Sequence, residues 1–176
     1  PLSAEQYIPV KGCNYHLASL LENRSLAHQF EQGYVFIYRL APVDYHRYCY
    51  IDNGSHGPVV KLKGKLHSVN PIAIDTDMPI FARNYREYTL LKTEHFGAVL
   101  HMEVGALMVG KVVQHHQGHH TFTRGEEKGY FEFGGSTIIQ IFMPQVIVPD
   151  QDLLERSAQG IETLVRYGAG VGQKVI

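Results

Sequence analysis

The chain has 176 residues, 44% of them hydrophobic, which is enough for one domain with a real core and too few to argue for two. With 16 basic against 17 acidic side chains, the net charge of −1 suggests no broad electrostatic surface for nucleic acid or acidic lipid headgroups, so a charged partner would be recognised locally. No apolar run approaches the roughly 20 residues of a membrane span, and the N-terminus lacks the basic-then-apolar pattern of a signal peptide. Cys13 and Cys49 form no C-x-x-C pair and no disulfide framework, which leans toward a reducing compartment. The chain opens PLSAEQ without a methionine, so a segment upstream of it is expected.

In chain order, Leu17, Leu20, Leu21, Leu26 and Phe30 recur at helical spacing between Asn14 and Gly33, predicting two short helices broken near Asn23 and Arg24. The pattern then turns to β. Strands are predicted over 34–40, 46–52, 58–64, 87–93, 98–114, 129–133, 136–142 and 162–166, separated by Gly, Pro, Asp and Asn clusters. Gly105 and Gly110 inside the long run 98–114 read as bends or bulges. HHQGHH (115–120) with TFTRGEEKG after it reads as a long loop, and IETLVRYGAGVGQKVI as strand, turn, strand. The fold class expected is mainly β: an antiparallel sandwich or barrel, barrel-sandwich-hybrid-like, with short N-terminal helices, as one domain over 1–176.

Four places could carry chemistry. His115, His116, His119 and His120 offer imidazoles that suit zinc, copper or nickel, but no carboxylate follows until Glu126. A solvated, incidental loop is the favoured reading there, with adventitious metal affinity next and a built site last. Asp44 and His46 at i and i+2 would share a strand face, where a carboxylate can orient an imidazole for acid–base work. A structural hydrogen bond is an equal reading. His67 in GKLHSVNPIAI sits on an apolar strand, where a satisfied core histidine is commoner than a catalyst. In FEFGGSTIIQIF, Ser136 follows Gly134 and Gly135, and its hydroxyl could attack the Gly135 carbonyl and shift the acyl group from N to O, given a base and an oxyanion donor. Thr137 stands beside it as a supporting hydroxyl, and a β-bulge or tight turn is the plainer reading of the motif.

Taken together, KGCNYHLASLL, YRLAPVDYHRY, GKLHSVNPIAI, FARNYREY, FGAVLHMEVGALMVGKV and RGEEKGYFEFGGSTIIQIF resemble, in order and wording, the phosphatidylserine decarboxylase family over nearly the whole chain. The resemblance implies a proenzyme that cuts itself between Gly135 and Ser136, giving a β-chain 1–135 and an α-chain 136–176. Ser136 would become a covalent pyruvoyl group. A substrate amine would join that carbonyl as a Schiff base, and phosphatidylserine would lose CO2 to give phosphatidylethanolamine. His46, in DYHR, would assist decarboxylation or reprotonation. The implied setting is peripheral, on the cytoplasmic side of a membrane, with a phospholipid substrate, no nucleic acid, no metal and a homodimer as the open partner.

Two departures stand out. Where many relatives have a second histidine in D-Y-H-x-x-H, this chain has Cys49, a poor base at pH 7 with an ordinary pKa near 8.5. His67 is therefore the expected processing base. The family's processing Asp belongs to a P-A-D-G segment upstream of K-G-x-N-Y, absent here, and that role is not transferred to Asp44. The C-terminal rhythm also resembles biotinyl and lipoyl carrier folds, without a carrier lysine at a hairpin tip, since Lys174 lies in the last predicted strand. Two alternatives remain open: a pyruvoyl-dependent decarboxylase of a soluble amino acid, and a non-pyruvoyl metal-binding β-barrel using the His-rich loop.

Overall fold

A computed structural model describes residues 7–10, 13–65, 67, 80–106, 111–132 and 136–175. Fourteen strands and four short helices are described. A hairpin of β1 (Tyr7–Val10) and β2 (Cys13–His16) leads into α1 (Leu17–Leu21) and α2 (Arg24–Gln29), so the first helix begins at Leu17 rather than Asn14. The break between the helices falls where predicted. Glu22 takes a left-handed conformation at φ 50°, and the Asn23 side chain accepts a hydrogen bond from the Leu26 N–H at 2.9 Å to start α2.

The core is a large antiparallel sheet of β10 (His120–Phe122), β5 (Gly54–His56), β7 (Arg86–Thr93), β8 (Gly97–Val104), β12 (Ser136–Phe142) and β3 (Tyr34–Leu40), in that order. The strand β6 (Val60–Leu62) also pairs with β7. A smaller sheet orders β4 (Arg47–Cys49), β11 (Glu127–Glu132) and β9 (Lys111–Gln114). The runs YVFIYRL and STIIQIF form strands with the predicted limits; β12 is buried along its whole length and so shows no polar alternation, while β3 is half-buried throughout. No sheet among the described residues closes on itself, so the architecture is layered.

Alternation along the central strands separates two faces. Arg86, Val104 and Thr137 are direct partners across β7, β8 and β12, and this face is covered by α1 and by α3 (Ile80–Arg83). Arg86, fully buried, fastens the helical layer: its guanidinium donates to the carbonyls of Leu20, Ser19 and Ala82 and pairs with Glu22 at 3.0 Å. The other face carries His101 and Glu103 toward the smaller sheet, where Tyr48 stacks edge-on to His101 with ring centroids 5.9 Å apart. Tyr48, Val112 and Phe131 of the smaller sheet share one hydrophobic cluster with Met102, Ile138 and Ile139 of the larger.

The predicted strand over 162–166 is not one. The chain there is irregular; the last strand is β14 (Gly172–Lys174), pairing with β13 (Ile147–Pro149), and α4 (Gln151–Ala158) precedes it. Ile161 and Leu164 are exposed, and the stretch pairs with no described strand. The loop predicted over 115–129 is shorter than expected, since β10 and the start of β11 occupy part of it. Among the described residues no helix is long and apolar enough to cross a membrane. Gly110, Gly134, Gly135 and the SVNP block lie outside the described residues.

Candidate active site

The Ser136 side is built where three strands end together. Ser136 opens β12; its partner Leu40 closes β3, and its neighbour Thr137 pairs with Val104 at the end of β8. Ser136 and Thr137 are both fully buried, and among the described residues neither hydroxyl has a hydrogen-bond partner. An unsatisfied buried hydroxyl costs on the order of 1–3 kcal/mol, so two in succession mark a place kept for something other than stability. By alternation the Ser136 side chain faces the smaller sheet and Thr137 the helical layer.

His46 reaches this end from the other layer. After Leu40 the chain turns through Pro42–Asp44, and the His46 carbonyl accepts from the Phe131 N–H at 3.0 Å. Two backbone junctions, Leu40 with Ser136 and His46 with Phe131, thus bracket the stretch that contains the Gly135–Ser136 bond. The His46 Nδ1 lies 2.7 Å from the Asp44 carbonyl, which can only accept, so Nδ1 carries the proton. Nε2 is buried without a partner and holds its lone pair free, as a base requires. The expected carboxylate–imidazole pair does not form. Asp44 lies in a bend, not a strand, and its Oδ2 caps that turn by accepting from the Ala41 N–H at 2.7 Å; the backbone orients His46 instead.

His67 is brought to the same end by Asn84. The Asn84 side chain, fully buried, accepts from the His67 N–H at 2.9 Å and donates to the carbonyls of His67 and Gly105, both at 2.8 Å. Gly105 follows Val104, the partner of Thr137, so one amide joins the His67 segment to the strand end beside Ser136. Lys65 extends the ladder, donating to the Arg83 carbonyl at 2.9 Å and accepting from the Tyr85 N–H at 2.8 Å. Gly64 makes this approach feasible, because a Cβ there would stand 2.3 Å from the Asn84 carbonyl carbon. Cys49 is placed differently. Tyr48 before it faces the larger sheet, so Cys49 takes the outer face of β4, beside the Tyr167 hydroxyl, whose pKa is raised by burial first and then by the neighbouring thiol.

A buried polar cluster lies one step along from Ser136. Glu103, opposite Ile138, pairs with Lys128 Nζ at 2.6 Å and accepts from Gln114 Nε2 at 2.9 Å, while Lys128 donates to Gln114 Oε1 at 2.7 Å. Burial raises the Glu103 pKa, and the Lys128 charge works against that rise. His101, fully buried on the same face, is pushed well below its ordinary pKa by burial and then by the Lys128 charge, so it is neutral. The charged Glu103 inside the apolar run HMEVGA is the sequence signal for this cluster. Asn84 stands in the FARNYREY block, but its importance depends on which segments it joins.

A model of the family described as phosphatidylserine decarboxylase matches residues 1–173. A phosphatidylserine decarboxylase proenzyme of Clostridium botulinum is 43% identical over 173 residues, covering 98% of this chain and 59% of that protein. The proenzyme of Clostridium novyi is 44% identical over 168 residues, and that of Ruminiclostridium cellulolyticum 40% over 171, each with 57% of its own length covered. The chain belongs to the phosphatidylserine decarboxylase family, and it spans under three fifths of the length of these curated relatives.

Proposed function

We propose that this chain is the self-processing core of a decarboxylase that converts phosphatidylserine to phosphatidylethanolamine. The observation that carries the reading is the buried, unpartnered Ser136 hydroxyl at the head of β12, directly after two glycines, in a chain whose relatives bear the name proenzyme. A proenzyme needs a processing step, and Ser136 supplies the nucleophile. Its Oγ bonds to the Gly135 carbonyl carbon, its proton passes to a base, and the Gly135–Ser136 C–N bond breaks to leave an ester. Elimination frees the Gly135 carboxylate, and hydrolysis of the resulting dehydroalanine releases ammonia. A β-chain 1–135 and an α-chain headed by a pyruvoyl group remain.

The residues present fit that group, since the orphaned Ser136 hydroxyl sits where its precursor must be. Once formed, the pyruvoyl group supplies a carbonyl that takes up the substrate amine and draws electrons as CO2 leaves. His67 is the processing base, supported by the Asn84 tie between its backbone and the end of β8. His46 Nε2, with its free lone pair, handles the proton that returns to the former α-carbon. Cys49 stays on the outer face of β4 and takes no proton.

A lipid substrate is favoured over a soluble amino acid by what surrounds His46. Val43 is 93% and Tyr45 58% exposed, and Tyr45 meets Tyr167 edge-on at 5.4 Å. Arg39, the partner of Thr137, holds the segment bearing Leu164 through Glu162 at 2.8 Å. Exposed apolar side chains thus rim this end of the molecule, as peripheral contact with a membrane requires. The test is CO2 release from carboxyl-labelled substrate by the protein expressed from its full reading frame. Release from phosphatidylserine vesicles, absent with free serine, is expected; release from free serine alone would favour the soluble reading, and none from either would overturn the assignment.

A further inference from the structure

Away from Ser136, the histidine-rich segment folds against a carboxylate that its sequence spacing seemed to keep out of reach. One donor atom each from His116, His120 and Glu126 lies within 4.8 Å of the others. His120 Nε2 is 2.6 Å from Glu126 Oε1, and the His116 and His120 rings stack with centroids 3.5 Å apart and planes 12° from parallel. The Glu126 carboxylate is oriented from behind, its Oε2 accepting from the Thr123 N–H at 3.0 Å. The hydrogen bond with His120 holds its pKa below the ordinary range.

The other imidazoles nearby are spoken for or point elsewhere. His56, opposite His120 on β5, donates from Nδ1 to the Gly57 carbonyl at 2.7 Å and accepts at Nε2 from the Tyr50 hydroxyl at 2.9 Å, so it has no free lone pair. It lines the site with Tyr50 and Phe122, whose rings stack at 3.9 Å. His115 turns to Glu127 at 2.6 Å. Two imidazoles and one carboxylate remain within reach of one another.

We propose that His116, His120 and Glu126 bind one zinc-class divalent ion as a clip between the two sheets. Bonds of about 2.1 Å to a tetrahedral ion place donors roughly 3.4 Å apart, so the His120–Glu126 pair, at 2.6 Å, must open, the wider gaps within 4.8 Å must close, and the stacked rings must turn out of parallel, movements of about an ångström. Two nitrogens and one oxygen suit zinc and disfavour magnesium or calcium, which take oxygen shells. His120 opens β10 at the outer edge of the larger sheet, and Glu126 immediately precedes β11 of the smaller one. The ion joins those layers. Four strand steps of about 4.8 Å separate β10 from β12, so the clip lies roughly 19 Å from the strand that bears Ser136 and is independent of its chemistry.

The untagged full chain, stripped with chelator, is titrated with zinc chloride by calorimetry and followed by thermal melting. One equivalent binding at micromolar Kd or tighter, with a raised Tm, is expected. The double variant His116→Ala/His120→Ala and the milder Glu126→Gln should each weaken binding at least about tenfold, while His119→Ala leaves it unchanged. Non-saturating uptake, unchanged affinity in both ligand variants, or an equal loss in His119→Ala would overturn the site.

Discussion

Replacing Asn84 by alanine removes a buried side chain that ties the His67 segment to the end of β8. Three hydrogen bonds of 2.8–2.9 Å are lost, and the residue is fully buried. At about 1 kcal/mol net for each bond, the variant should lose about 3 kcal/mol of stability. The larger effect falls on processing. If His67 is the base, freeing its backbone by about an ångström should slow cleavage on the order of 100-fold, because proton abstraction demands a fixed geometry. Time courses of fragment appearance on denaturing gels, beside urea unfolding of each variant, separate the two consequences. Leu91→Ala is the control: Leu91 is fully buried in the second hydrophobic cluster, and its loss should cost a similar 2–5 kcal/mol. Its partner Val99 pairs with Phe142, six residues along β12 from Ser136, or roughly 20 Å away. Processing of Asn84→Ala within threefold of wild type, or equal slowing by Leu91→Ala, would refute the reasoning.

Lys128→Met strands Glu103 as an unpaired buried carboxylate and should cost about 3–5 kcal/mol in urea unfolding, with partial recovery in Lys128→Met/Glu103→Gln; a loss below about 1 kcal/mol would contradict the cluster. His101 and His56 have folded pKa values depressed below 6.5, chiefly by burial, so only the unfolded chain takes their protons just below that value. Stability should therefore be fully present above about pH 6.5 and fall as the pH drops, with a slope approaching about 1.4 kcal/mol per pH unit for each histidine. Glu103, with its pKa raised, acts in the opposite sense, so the test is the difference between wild type and His101→Gln across pH 5.5–7.5: the variant's slope should be shallower, and identical slopes would contradict it. Val43→Asp, at a fully solvated position, should leave unfolding within about 0.5 kcal/mol of wild type and self-cleavage intact. Its CO2 release from phosphatidylserine vesicles should drop severalfold, and unchanged release would remove Val43 from the membrane rim.

The strands were most legible where strand-forming side chains occupy both faces. YVFIYRL and STIIQIF have β-branched and aromatic residues on both faces, the first half-buried and the second buried along its whole length, and their limits match the sequence pattern because no fully exposed position blurs them. The run 98–114 divides after Val104 as the glycine pattern suggests. Three-residue strands such as Gly54–His56 and His120–Phe122 are too short to show a period, and they exist through pairing with partners distant in sequence. The alternation over 162–166 imitates a strand, but the stretch pairs with no described strand. Within the candidate site, Ser136 was legible because glycines before a strand are costly and so informative. His46 was legible as a residue but not in its orientation, since a carbonyl rather than the Asp44 carboxylate fixes its tautomer. Asn84 and the convergence of His120 with Glu126 depend on tertiary closure, which no local spacing encodes.

The central claim is that Ser136 both cuts the chain and becomes its reactive end. Intact mass spectrometry of the protein expressed from its full reading frame, as wild type and as Ser136→Ala, tests it most directly. Two fragments parted between Gly135 and Ser136, the smaller beginning with a blocked pyruvoyl-bearing residue, are predicted for wild type, and one unbroken chain for the variant. An unbroken wild-type chain, or cleavage that persists in Ser136→Ala, would contradict it.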